Sequence, residues 1–337
     1  MAAISPNGSA NPQASHDVRV LGGEEALAQG WAQLPACYAI PAVAPSLAEA
    51  RLYCERLAKS HYENFGVASW FLPQELHQHF FHIYAYCRIS DDLGDEVGDP
   101  HISLLLLDRW QQELDVTYAA LEGGKEKPCH PVFVALAETI TKFGIPKHEF
   151  SDLLTAFRQD QTVGRYESFD ELLGYCKNSA NPVGHLVLYL CGYNDGERQQ
   201  LSDYTCTALQ LANFWQDVAV DWQKNRVYLP REDLRRFKVR EEDIAAGRAS
   251  AEFTELMRFE VARAHEWFER GLPLIQQVKP ELALDIELFS RGGQEILTAI
   301  EKQGYDVLRR RPTISKLRKT GLLLRALAGK LRSRKRS

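Results

Sequence analysis

Residues 213–230 read NFWQDVAVDWQKNRVYLP. Phe214, Trp215, Val218, Ala219, Val220 and Trp222 give the segment the apolar content of a buried helix, yet Asn213, Asp217 and Asp221 recur through it at every fourth residue. On a helix with Asp217 at zero, Asn213 falls at about −40°, Lys224 at −20°, Gln210 at +20° and Asp221 at +40°. A surface helix carries a broad charged face, so a narrow polar stripe in an apolar circumference predicts a helix enclosed by protein and turned toward a cavity.

A second stripe lies upstream in HIYAYCRISDDLGDE, residues 82–96. With Asp91 at zero, Tyr84 falls at about +20°, Asp95 at +40° and Arg88 at +60°. Phe81, Ile83, Ala85 and Leu93 fill its other faces. One D-x-x-x-D alone is most simply surface charge, a cap or an ion pair. Two of them within apolar helices, each with Arg, Asn or Tyr in register, favour a shared site. Buried carboxylates need cations. Local Arg and Lys could supply them, or a bound metal. Oxygen ligands without His or Cys select a hard ion, and Mg²⁺ takes one or two carboxylates together with water and phosphate. Facing aspartate helices would hold Mg²⁺ and a bridging diphosphate, with Arg88, Lys224 and Arg226 beside them to bind phosphate oxygens.

The rest of the chain narrows the class. Its 337 residues are 45% hydrophobic and 25% charged, an ordinary globular composition. No run of 18 apolar residues is present, and the first twenty residues lack the apolar core of a secretory signal. Seven scattered cysteines without C-x-x-C spacing fit a reducing cytoplasm better than a zinc site or disulfide framework. No P-loop, dinucleotide or H-E-x-x-H motif occurs. The net charge of −5 conceals an asymmetry: residues 309–337 carry twelve Lys/Arg and no Asp/Glu. With no aromatic among those charges but an apolar GLLLRALAGKL beside them, an anionic membrane surface is a better partner than nucleic acid. A solvated basic end is the competing reading, and the predicted location is cytoplasmic, peripheral at the inner face of the membrane.

Helical periodicity dominates the chain. It predicts helices over 46–65, 74–97, 101–122, 130–143, 147–163, 168–176, 180–192, 195–224, 231–236, 240–246, 250–277, 280–302 and 314–331. The expected organisation is a poorly structured segment over 1–45, one all-α domain over 46–325, and a basic tail over 326–337.

Over roughly residues 50–325 the sequence resembles the squalene/phytoene synthase family of all-α isoprenoid synthases. The motifs that carry the resemblance are HYENF (61–65), YAYCRISDDLGDE, RYESFDELLGYC and QLANFWQDVAVDWQKNRVYLP. It implies a helical bundle with a central cavity, an isoprenoid diphosphate substrate, and Mg²⁺ bound by Asp91, Asp95, Asn213, Asp217 and Asp221. It further implies that Tyr84, Arg88 and Arg226 help hold diphosphate, with His61 and Asn64 near it. Asp160, Arg165 and Tyr175 match further family positions near the cavity; the implied catalytic set is Tyr84, Arg88, Asp160 and Tyr175, and Arg165, Gln210, Lys224 and Tyr228 join the substrate-binding set. Tyr175 reads equally well as a core tyrosine with a satisfied hydroxyl. Phe65, Trp70, Phe157, Phe214 and Tyr175 are candidate cavity-wall aromatics, with plain core packing as the alternative for each.

Three departures from the family pattern point to its hydroxysqualene synthase branch. These are SANPVG at 179–184, Gln216 where an arginine is usual, and Trp222 after the second aspartate motif. That branch ionises a preformed presqualene diphosphate and captures the cation with water, without NADPH. It implies pathway partners that supply the substrate. The alternatives are head-to-head condensation of two farnesyl or geranylgeranyl diphosphates and, more remotely, a non-catalytic assembly factor of the same fold.

Overall fold

The computed structural model describes residues 23–60 and 73–313. His61, Asn64, Phe65, Trp70, the expected helix over 314–331 and the basic tail lie outside the described residues. The helices are α1 (Gly23–Gln33), α2 (Leu47–Ser60), α3 (Gln74–Asp95), α4 (Pro100–Leu121), α5 (Pro131–Phe143), α6 (His148–Gln159), α7 (Phe169–Ser179), α8 (Asn181–Leu190), α9 (Gly196–Gln223), α10 (Arg231–Arg236), α11 (Glu241–Ala245), α12 (Ala251–Gly271), α13 (Leu274–Gln277) and α14 (Pro280–Lys302). Among the described residues there is no β-strand, only one isolated bridge between Arg165 and Val227.

Local chemistry sets many of the boundaries. Asp99, His130, Ser168, Asp195 and Ser250 each accept a backbone N–H at a helix start. Pro100, Pro131 and Pro280 stand in first turns, where a missing N–H costs nothing. The single helix expected over 250–277 is instead two, α12 and α13. Pro273 lies between them, lacking an N–H donor and crowding the carbonyl four residues back.

Within the segment expected to be poorly structured, residues 23–38 carry regular structure. Gly23–Gln33 is helical, and at Gly30 the helix lies so close to α4 that an added Cβ would come within 2.6 Å of Ile102. A short 3₁₀ turn over Ala36–Tyr38 then buries Tyr38. Short polar residues in this stretch obscured a helix whose stability comes from packing rather than propensity.

Two apolar clusters form the core. One gathers α1 to α6 and α8 around Trp110, Tyr86, Phe133 and Phe150; the other gathers α7, α9, α12 and α14 around Trp215, Phe253 and Phe268. Helix α3 belongs to the first and α9 to the second, so the two aspartate stripes come from different halves of the molecule.

Candidate active site

The chain after α9 brings the stripes together. Asn225 adopts φ 57°, a left-handed conformation that asparagine tolerates. The Arg226 amide donates to the Asp221 carbonyl at 2.8 Å and the Asn225 amide to that of Trp222 at 2.9 Å, which is a Schellman closure of the helix. Reversing the chain here aims Lys224 and Arg226 back across the cleft at α3. Lys224 Nζ donates to Asp95 Oδ2 at 2.8 Å and Arg226 Nη2 to Asp95 Oδ1 at 3.1 Å. Arg165 fastens the turn. It donates to the Asn225 carbonyl at 2.6 Å, pairs with Glu241 at 2.8 Å and lies over the Trp222 ring. Gly164 is required beside it, since a Cβ there would meet the Asn225 carbonyl oxygen at 2.6 Å. Arg165 thus builds the wall that carries Lys224 and Arg226. A cavity of about 410 Å³ lies against this turn, lined by Asp95, Asp160, Lys224 and Arg226.

The four stripe aspartates divide into two pairs by their cations. Asp95 has Lys224 and Arg226. Burial pushes its carboxyl up, but the two cations outweigh this and hold it below the usual carboxylate range. Asp217 is gripped by Arg311 through both Nε and Nη2, the latter at 2.9 Å. Asp91 and Asp221 have no ion pair among the described residues. The Asp91 carboxyl meets solvent yet stands between protein walls; that enclosure first, and Asp95 second, push it up to about 6. Asp221 is pushed up to about 7 by burial and then by Asp217. Asn213 is exposed and Gln210 half-buried further along the same helix.

This donor set fits a hard divalent ion: all oxygens, with two carboxylates that the fields of Arg88, Lys224 and Arg226 reach but that no cation pairs directly among the described residues. Among the described residues no three His, Cys, Asp or Glu side chains converge closely enough to hold an ion alone. Mg²⁺ ordinarily draws the rest of its shell from water and phosphate.

Behind the stripes, Asp160 accepts from the Tyr175 hydroxyl at 2.8 Å and is pushed up to about 6 by burial, which the nearby Arg226 opposes. Its Oδ1 is buried without a hydrogen-bond partner. Tyr175, Tyr166, Phe214 and Tyr228 form one aromatic cluster, in which Phe214 and Tyr228 stack at 3.8 Å. Tyr175, Phe214 and Tyr228 are therefore buried core residues with Asp160 at their polar edge. Phe157 is half-buried beside Gly94.

Arg88 faces a partner that helical spacing did not single out. Its guanidinium holds Asp92 through Nε at 2.9 Å and through Nη2, and Asp92 also accepts from the Tyr38 hydroxyl at 2.7 Å. Tyr84 is half-buried nearby, where burial raises its hydroxyl pKa. Gln216, one of the departures from the family pattern, has structural partners. It is buried off the stripe, donates to the Pro312 carbonyl at 2.6 Å and accepts from Arg311 at 3.2 Å. It serves the docking of residues 311–312, so its departure from arginine removes no ligand from the stripe. Sequence reasoning missed Tyr38, Asp92 and Arg311; the only written signal was the doubled Asp91–Asp92 and the run of three arginines before Pro312.

The profile of the squalene/phytoene synthase family matches residues 58–318, an interval that contains both stripes, the Asn225 turn and Arg311. The chain belongs to that family. Its all-α isoprenoid synthase fold agrees with the crystal structure of squalene synthase HpnC from Alicyclobacillus acidocaldarius. That protein is 40% identical with a TM-score of 0.72, over 83% of this chain and 98% of the other. A hydroxysqualene synthase from Sinorhizobium fredii (strain NBRC 101917 / NGR234) is 32% identical over 76% of this chain and 84% of its own. The chloroplastic phytoene synthase 3 of Zea mays is 29% identical over 81% of this chain, which spans 64% of that protein's length. Among the described residues no helix is long and apolar enough to cross a membrane.

Proposed function

We propose that this protein ionises presqualene diphosphate with Mg²⁺ and that water captures the resulting carbocation, giving hydroxysqualene and inorganic diphosphate. The observation that carries this reading is that Lys224 and Arg226, at the end of the helix carrying Asp217 and Asp221, reach Asp95 on the helix carrying Asp91, while Asp91 and Asp221 have no direct ion pair among the described residues. The name of the Sinorhizobium relative, a hydroxysqualene synthase, supports it.

Asp91 and Asp221 would hold Mg²⁺, with Asp95, Asp217 and Asn213 joining as their present partners leave. When bound, the ion supplies Lewis-acid neutralisation of the diphosphate. Lys224 and Arg226 would exchange the Asp95 carboxylate for diphosphate oxygens, and Arg88 would add its guanidinium to the same anion. The carbon–oxygen bond breaks with its electron pair on diphosphate. A water oxygen then bonds to the cationic carbon, and the proton it loses goes to the departing diphosphate.

A second reading, head-to-head condensation of two prenyl diphosphates, is favoured by the position of Gln216. Since that residue stands off the stripe, its identity does not argue against condensation, and the maize relative bears a phytoene synthase name. Purified protein with Mg²⁺ and presqualene diphosphate, without NADPH, should release diphosphate and a C30 alcohol that takes its hydroxyl oxygen from labelled water. Unlabelled alcohol excludes water capture. Conversion of farnesyl diphosphate alone to a C30 product establishes the condensing reaction instead.

A further inference from the structure

We propose that Tyr38 and Asp92 are positioning residues for Arg88, so that the segment before the family-matched region sets the phosphate grip of the site. The inference rests on the reading above, in which Arg88 meets the substrate diphosphate. On α3, Arg88 stands at about +60° from Asp91, between Asp95 at +40° and Asp92 at +100°. It is therefore at the edge of the aspartate stripe, with Asp92 on its far side.

Asp92 is 4% exposed, and its cation is Arg88. Both of its oxygens are engaged: Oδ1 accepts from Arg88 Nη2, while Oδ2 accepts from Arg88 Nε and from the Tyr38 hydroxyl. A guanidinium has five N–H groups in a fixed plane. Asp92 occupies two of them along one edge, and the Tyr38 hydroxyl stands against the same guanidinium. A planar fork fixed along one edge is already oriented for two-point binding of phosphate, whereas a free arginine must surrender rotamer freedom on binding. The Tyr38 hydroxyl fixes the carboxylate that fixes the fork. Tyr38 itself is 2% exposed on the 3₁₀ turn that follows α1, which packs on α4. It precedes residue 58, where the family match begins. This control of Arg88 therefore comes from a part of the chain that the family profile does not describe.

The test is calorimetric binding of inorganic diphosphate at saturating Mg²⁺ to the full-length chain and to Tyr38→Phe, Arg88→Gln and the double variant. Tyr38→Phe should weaken diphosphate binding roughly three- to tenfold, the scale of one ordinary hydrogen bond, because the lost bond acts on the anion only through Asp92 and Arg88. In the Arg88→Gln background the same change should have no further effect, because its route runs through Arg88. Tyr38→Phe binding like the unaltered protein overturns the proposal, as does an equal loss in both backgrounds, which marks a merely structural tyrosine. If Tyr38→Phe lowers the melting temperature sharply, Asp92→Asn tests the same relay. It should likewise weaken binding, and only where Arg88 is intact. Diphosphate binding unchanged by Arg88→Gln removes Arg88 from the site and overturns the reading beneath the proposal as well. A loss with Arg88→Gln but none with Tyr38→Phe overturns the positioning role alone.

Discussion

Asp221→Asn should stabilise the metal-free protein while it removes the response to Mg²⁺. Burial and the neighbouring Asp217 push the Asp221 carboxyl from the usual 3.8 up to about 7. At 1.36 kcal/mol per pH unit this opposes the charged form by about 4 kcal/mol. Water in the open cleft screens part of it, so about 2 kcal/mol is the expected gain from the neutral, isosteric amide. Because the folded-state carboxyl titrates above the unfolded one, the penalty on the native protein is complete above pH 7. It fades as the pH falls and is gone below 3.8. Melting in EDTA should show the variant roughly 3–6 °C above the native protein at pH 8. At pH 4 the two should nearly coincide. Adding Mg²⁺ should raise the melting temperature of the native protein by mass action and that of the variant much less. A variant that melts at or below the native protein at pH 8 in EDTA would show that Asp221 is already compensated, and the metal argument built on it would fail.

Two further outcomes follow from charges elsewhere. His185 donates to Glu149 and Asp203, at 2.9 and 2.7 Å, and burial, which lowers its pKa, is outweighed by these carboxylates, which raise it to about 9. Its contribution is complete below pH 6.5 and lost as the pH rises through 9, so the stability gap in urea between native protein and His185→Gln should narrow between pH 7 and pH 9.5. Arg311→Gln should let Mg²⁺ stabilise the substrate-free protein at a concentration about two- to fivefold lower, because a half-exposed ion pair of modest strength no longer competes for Asp217; an unchanged concentration dependence counts against that competition.

What the sequence disclosed, and what it withheld, divides along physical lines. Helix positions from 74 onward were legible because apolar spacing, caps and prolines all act locally, and α9 differs from its expected span by one residue at each end. Helix α1 was not legible, since its weak local signal is completed by packing on α4. The aspartate stripes were legible because four-residue spacing on an apolar helix is itself a geometric statement. Partners were not: Asp92 lies on the neighbouring face of the helix, and Arg311 is 94 residues from Asp217. Gln216 was legible only as a difference from a family pattern, and its contacts were not. Its chemistry concerns Pro312, and only the direction of its side chain reveals that.

The partition of cations explains why the site carries so many basic groups. Four aspartates facing one cleft would repel one another in the ligand-free protein. Lys224 and Arg226 on Asp95, with Arg311 on Asp217, quench one carboxylate on each helix and leave the other without a direct partner. The pair without a direct partner is where a metal gains most, since the nearby cations act on it only through space and burial still pushes both carboxyls up. On the proposed reading, each Mg²⁺–diphosphate that arrives would bring a cation for the carboxylates and an anion for the bases, so Lys224 and Arg226 would change partners without crossing into water as unpaired charges. Placing them at the Asn225 turn keeps that exchange short, because both side chains leave from the end of the helix that carries Asp221. The same logic predicts an order. A metal without an anion must compete with cations at Asp95 and Asp217, whereas metal and diphosphate together replace every interaction they disrupt.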